Sequence, residues 1–198
     1  AEAMSNSAKV LGVRFNSLFL FAWHKQLSLE KLATDAANKI IERKGSGKIN
    51  LIGYSAAGLL AYETAKALQK NGHEINSLIL IDTSPTIKRL KWPILLKFVA
   101  EIVKSTSRKI TRKENWVNPR TYSHLCLQNQ LANQCITPIT ANSPILFSAQ
   151  FGSLTNAEIE QWQTMAFNNL EVIPIEGDHF GLRQMDIAMD IACKILKK

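Results

Sequence analysis

Between Ile49 and Lys70 an apolar run passes straight into a helical one, with only Gly53, Tyr54, Ser55, Ala56, Ala57 and Gly58 at the junction. A chain can change from strand to helix so abruptly only through a sharp turn, and the side chains two before and two after its apex must be small. Gly53 and Ala57 meet that condition about Ser55. The run Ile49–Tyr54 is too short for a helix, whereas helical spacing holds from about Ala57 to Lys70, where Asn71 and Gly72 supply a terminator. Strand, turn and helix in immediate succession form the first half of a βαβ unit, which commits this region to a parallel sheet.

The alternation recurs along the chain. Val10–Phe15 reads as a short buried strand; Ser28 then has the character of an N-cap, and Leu29, Leu32, Ala33, Ala36, Ala37, Ile40 and Ile41 keep helical spacing up to Gly45. Leu78–Ile81, Ile145–Ala149 and Glu171–Ile175 are further predicted strands, with helices near Ala157–Phe167 and from about Arg183 to Leu196. The expected class is therefore α/β, a mostly parallel sheet covered by helices on both faces. The 198 residues suffice for one well-buried domain, and 46% hydrophobic with 20% charged residues excludes a disordered chain. From about residue 86 to 142 no strand is legible, and two amphipathic stretches predict a helical insertion over the sheet. No apolar stretch approaches the roughly 20 residues of a membrane span, and no secretory signal is legible at the start. With three cysteines in no pairing pattern, a cytoplasmic chain that spans no membrane is expected.

The turn also carries chemistry. Ser55 would project above the sheet at a helix N-terminus, where backbone N–H groups favour developing negative charge, and the N–H of Ala56 is the nearest of them. A serine hydroxyl needs a base. Of the four histidines, His179 lies in the segment Glu176–Gly181 between the last strand and the last helix, on the carboxyl edge of the sheet that Ser55 shares. His24, His73 and His124 have no such placement. An orienting acid is expected after the penultimate strand, but residues 148–156 contain none. Asp82, closing the strand next to the turn, is the acid chosen instead; Asp178, adjacent to His179, is read as structural.

These features resemble the thioesterase domains that terminate nonribosomal peptide and polyketide synthases, within the α/β-hydrolase superfamily. Four blocks carry the resemblance: Ser28–Ala33, Ile49–Gly58, Leu78–Pro85 and Glu176–Leu182. It implies a single α/β-hydrolase domain over 1–198, with a helical lid at about 86–142. It implies Ser55 as nucleophile, His179 as base and Asp82 as acid, the acid's place on the strand after the turn being a mark of this group. The implied substrate is an acyl or peptidyl chain on the phosphopantetheine of a carrier protein, released by hydrolysis or cyclisation. Such domains carry a further strand and a glycine-rich loop before the position of Val10, which supplies a second oxyanion N–H. Only nine residues precede Val10 here, so that donor is unassigned, and a half-built oxyanion hole would cost about 10²–10³ in rate. A general carboxylesterase and a catalytically impaired acyl-binding relative are the alternatives.

No phosphate loop, dinucleotide fingerprint or metal-ligand cluster is legible, so neither cofactor nor metal is expected. Charge is concentrated: residues 88–113 hold nine basic side chains and one acid, while the rest of the chain holds 15 of each. Without a nucleic-acid reading motif, nucleic acid is not the expected partner. An acidic carrier protein is, with Lys104, Arg108, Lys109 and Arg112 as its docking residues. Changing those four to glutamate is expected to lower kcat/KM for a carrier-loaded substrate at least tenfold more than for a small soluble thioester. Equal losses on both substrates refute the docking role.

Overall fold

The computed structural model describes residues 12, 29–43, 48–85, 139, 141–152, 154–165 and 169–196. Helix α1 (Leu29–Arg43) is followed by strand β1 (Ile49–Tyr54), helix α2 (Ala56–Lys70) and strand β2 (Ile75–Ile81). Strand β3 (Ser143–Ala149), helix α3 (Asn156–Met165), strand β4 (Glu171–Ile175), a 3-10 turn (Gly181–Arg183) and helix α4 (Met185–Leu196) complete the order. The chain divides into two compact units, and the described residues belong to the first; the second, 15–28 with 86–134, lies outside them. The Ser28 cap and the basic segment 88–113 also lie outside the described residues, as do the predicted strand Val10–Phe15 apart from Gly12 and the lid apart from 139, 141 and 142.

The sheet has the order β1-β2-β3-β4, and every pairing is parallel. The register aligns Tyr54 with Ile81, Ile81 with Phe147, and Ala149 with Ile175, so the exits of all four strands gather on one edge. On one face Ile79, Ile145, Phe147, Ala149 and Ile175 form a core with Leu182 and with Ile191 of α4. Alternation sends Leu51, Leu78, Leu80 and Leu146 to the other face, where α2 packs on β1 and β2. The predicted α1 stripe of Leu29, Leu32, Ala33, Ala36 and Ala37 is buried, and α1 packs against α2. Both faces of the sheet are thus covered by helices, as the strand–helix alternation predicts.

Three boundaries differ clearly from the sequence reading, the first being β3, which starts at Ser143 rather than Ile145 and takes Pro144 into the strand. Strand β2 begins at Ile75 rather than Leu78, because Ser77 breaks the apolar run yet satisfies its own hydroxyl by donating to the Ser143 carbonyl at 2.8 Å. The last helix is preceded by a separate 3-10 turn, so α4 starts at Met185 rather than Arg183.

Helix α3 fastens the exit of β2. Its N-terminus is a capping box: the Glu158 N–H reaches Thr155 Oγ1 at 3.3 Å, and Glu158 Oε2 accepts from the Thr155 N–H at 2.9 Å. The other oxygen of Glu158 accepts from Ser84 Oγ at 2.7 Å. One turn on, buried Trp162 tilts against Tyr62 of α2, with ring centroids 5.3 Å apart, and donates from Nε1 to the Thr83 carbonyl at 2.7 Å. Burial also pushes the Tyr62 hydroxyl well above its ordinary pKa, so it stays protonated. Trp162→Phe removes the donor to Thr83 and part of the packing, and should lower the unfolding free energy in urea by about 2–4 kcal/mol. A loss under about 0.5 kcal/mol would show that α3 does not hold this loop.

Candidate active site

Ser55 is the hinge between β1 and α2, with φ 55° and ψ −130°, a region costly for a residue with a Cβ. Its surroundings hold it there. The Ser55 N–H donates to the Ile81 carbonyl at 2.8 Å, and its own carbonyl accepts from the Gly58 N–H at 2.9 Å and from Thr83 Oγ1 at 3.1 Å. Ala56 is the first residue of α2, so its N–H has no acceptor within the helix and sits at the positive end of the helix dipole.

The turn is as crowded as its sequence requires, at Gly53 as expected but with its second close approach one residue beyond Ala57. A Cβ on Gly53 would lie 2.5 Å from the Ala57 carbonyl oxygen and from Gly58 Cα. Ala57 itself is exposed, so no neighbour forces it to be small. The second close approach falls one residue later, where a Cβ on Gly58 would lie 2.0 Å from Thr83 Oγ1. The small-residue requirement thus belongs to Gly53 and Gly58, because it is the first turn of α2 that rests on the exit of β2.

Asp82 leaves β2 with φ 44°, and its side chain is fully buried. Both carboxylate oxygens are used. Oδ1 accepts from the Ala149 N–H at 3.1 Å, and Oδ2 lies 2.5 Å from His179 Nδ1. Since a carboxylate only accepts, Nδ1 carries the shared proton and the neutral ring keeps its lone pair on Nε2. The acid-free loop after β3 now has a reason: a Cβ on Gly152 would lie 2.9 Å from Asp82 Oδ1, so this loop makes room for a carboxylate instead of supplying one.

His179 sits beyond β4, with 22% of its side chain exposed. Gly177, at φ 117°, turns the chain there, and its carbonyl accepts from the Phe151 N–H at 3.0 Å. Asp178 caps the following turn, Oδ1 accepting from the Gly181 N–H at 2.6 Å. Tyr54 stacks on the imidazole, with ring centroids 5.0 Å apart and planes at 22°, and its hydroxyl donates to the His179 carbonyl. Phe180 meets the same ring edge-on at 5.3 Å. His73, by contrast, ends α2 with its N–H on the Leu68 carbonyl at 3.0 Å. His24 and His124 lie outside the described residues, as do Lys104, Arg108, Lys109 and Arg112.

Residues 16–198 match the family model described as the thioesterase domain. The chain belongs to the thioesterase domain family. Over 68 residues this thioesterase domain is 40% identical to the non-reducing polyketide synthase PKS12 of Gibberella zeae, a match covering 34% of the chain and 3% of that protein. Over 143 residues it is 24% identical to the nonribosomal peptide synthetase pngA of Aspergillus terreus, covering 70% of the chain and 14% of the synthetase. Its fold is that of the RedJ thioesterase from the prodiginine pathway of Streptomyces coelicolor. That likeness has a TM-score of 0.63 at 19% identity, over 86% of this chain and 70% of the other.

Sequence reasoning singled out Asp82 and His179, which meet, and Ser55, which the strand exits hold on the same edge. It overlooked Thr83, Gly152, Trp162 and the role of Tyr54. A Thr–x–x–Glu capping signal at Thr155 and Glu158 was available to mark the start of α3; the remaining contacts have no sequence signature. Among the described residues of the thioesterase domain, no group of three or more His, Cys, Asp or Glu side chains could hold a metal ion. Gly58→Ala should destabilise the domain by about 2–3 kcal/mol in denaturant unfolding, because the added Cβ must displace Thr83. Adding Thr83→Ala should recover part of that loss, giving a favourable coupling energy. Strictly additive losses would show that the clash relaxes elsewhere.

Proposed function

We propose that this domain is a serine thioesterase that takes an acyl or peptidyl chain from the phosphopantetheine thioester of a carrier protein. The observation that carries the reading is the buried Asp82 carboxylate, 2.5 Å from His179 Nδ1, on the edge where Ser55 begins a helix. A fully buried carboxylate on an imidazole nitrogen holds one tautomer and stabilises the imidazolium that forms when the ring takes a proton. The membership of relatives in polyketide and nonribosomal peptide synthases supports a carrier-bound substrate.

In this mechanism His179 Nε2 takes the proton from Ser55 Oγ as the oxygen attacks the thioester carbonyl. The resulting oxyanion faces the N-terminus of α2, where the Ala56 N–H is a donor. Collapse breaks the C–S bond; the phosphopantetheine sulfur leaves with the proton from His179, and an acyl-Ser55 ester remains. Water, or a nucleophile within the acyl chain, then gives a proton to Nε2 and attacks the ester. The proton returns to Ser55 Oγ as the product leaves, which closes the balance without a metal or redox cofactor. The phosphopantetheine arrives with the substrate, and the basic segment 88–113 is the proposed docking face for its carrier. No helix among the described residues is long and apolar enough to cross a membrane.

Intact-mass measurement after incubation with a fluorophosphonate tests the machinery. One adduct is expected on the unaltered chain and none on Ser55→Ala, while Asp82→Asn should lower kcat on an acyl thioester by about 10⁴-fold. An adduct that survives Ser55→Ala would sink the assignment. Faster turnover of small oxygen esters than of carrier-loaded thioesters would favour a general carboxylesterase.

A further inference from the structure

We propose that Tyr54 is the positioning residue for His179, so that the residue before the serine sets where the base stands. This rests on the reading of Ser55, His179 and Asp82 given above. Tyr54 closes β1 and is fixed by the sheet, its position paired with Ile81. The next residue, Ser55, is pinned through its N–H to the Ile81 carbonyl at 2.8 Å. Tyr54 therefore shares the rigid frame of the nucleophile.

The loop that carries His179 needs such a frame. Past β4 its backbone is held by the Phe151 N–H on the Gly177 carbonyl at 3.0 Å and the Leu182 N–H on the Asp178 carbonyl at 3.2 Å, neither at His179 itself, and Gly177 at φ 117° gives it little intrinsic preference. Asp178 spends its carboxylate on the Gly181 N–H rather than on the base. The Nδ1 contact to Asp82 fixes one point of the imidazole and Phe180, on the same loop, meets the ring edge-on at 5.3 Å, which leaves the tilt of the ring plane relative to the sheet free. Tyr54 removes this freedom twice: its ring lies nearly parallel on the imidazole face, and its hydroxyl holds the His179 carbonyl. One side chain thereby sets both the plane of the base and the backbone it hangs from. Serine attack depends on the placement of Nε2, and a misplacement of about 1 Å can cost on the order of 100-fold in rate.

The test is the rate of Ser55 modification by a fluorophosphonate, followed by intact mass on the full chain, together with the low-field proton resonance of the His179–Asp82 hydrogen bond. Tyr54→Phe keeps the ring and loses the hydroxyl, so labelling should slow about fivefold with the resonance retained. Tyr54→Ala should slow labelling about 100-fold and broaden the resonance beyond detection. Leu68→Ala, at a buried position near the end of α2 opposite Ser55, is the control for lost stability and should label at the unaltered rate. Labelling of both Tyr54 variants within twofold of the unaltered chain overturns the proposal, as does equal slowing in Leu68→Ala. Should Tyr54→Ala fail to fold, Tyr54→Phe decides alone on the same criterion. Absence of any Ser55 adduct on the unaltered chain removes the triad reading itself, an outcome distinct from a triad that works without Tyr54.

Discussion

A carboxylate with no exposed side-chain surface must have its oxygens matched, because an unmatched buried charge costs several kcal/mol or forces the group to neutralise. Asp82 is in that position, and much of the described structure serves it. One oxygen takes the Ala149 N–H and the other the His179 ring. Both partners come from segments distant in sequence, so the carboxylate draws the exits of β2 and β3 and the loop after β4 together. Gly152 follows from the same demand, since any side chain there would press on the acid. The Asp82 backbone is committed as well, its N–H bound to the Phe147 carbonyl at 2.7 Å.

Two strained residues, Ser55 and Asp82, end neighbouring strands, and each has positive φ without being glycine. Conformations of this kind cost on the order of 1–3 kcal/mol each and persist only where surrounding contacts over-determine them. Those contacts converge on Thr83. Its hydroxyl reaches the Ser55 carbonyl, Gly58 packs on its side chain, and its carbonyl takes the Trp162 indole from behind. Next to it, Ser84 is tied to the capping box of α3. Helix α3 thus supports both strained turns through Thr83 and Ser84.

The strands and helices were legible where periodicity was undisturbed: β1, β4 and the stripe of α1 fall where the residues predict, and β3 ends at Ala149 as expected but starts two residues earlier. The start of β2 was hidden because Asn76 and Ser77 look polar in one dimension, while Ser77 meets its hydrogen-bonding need within the sheet. Asp82 could be found by elimination, since residues 148–156 offered no acid. That reasoning supplied the residue but not the cause, which is the space left by Gly152. The requirement for smallness was assigned to Ala57 by a spacing rule, whereas the close contact follows from how α2 leans on Thr83 and so falls on Gly58. Tyr54 was beyond reach for a related reason: stacking across a sheet edge depends on where a loop 125 residues further on comes to rest.

The pair joining Asp82 to His179 spans 97 residues of chain. Serine and acid lie on adjacent strands linked by one helix, a local unit able to form early, whereas the imidazole arrives only with the last strand and its loop. A chain synthesised from its N-terminus folds its earlier parts first. Until synthesis has passed residue 179, Ser55 therefore stands without the imidazole proposed as its base. The long-range pair can form only once β4 has joined the sheet, so under the proposed mechanism Ser55 gains its base with the closing of the sheet.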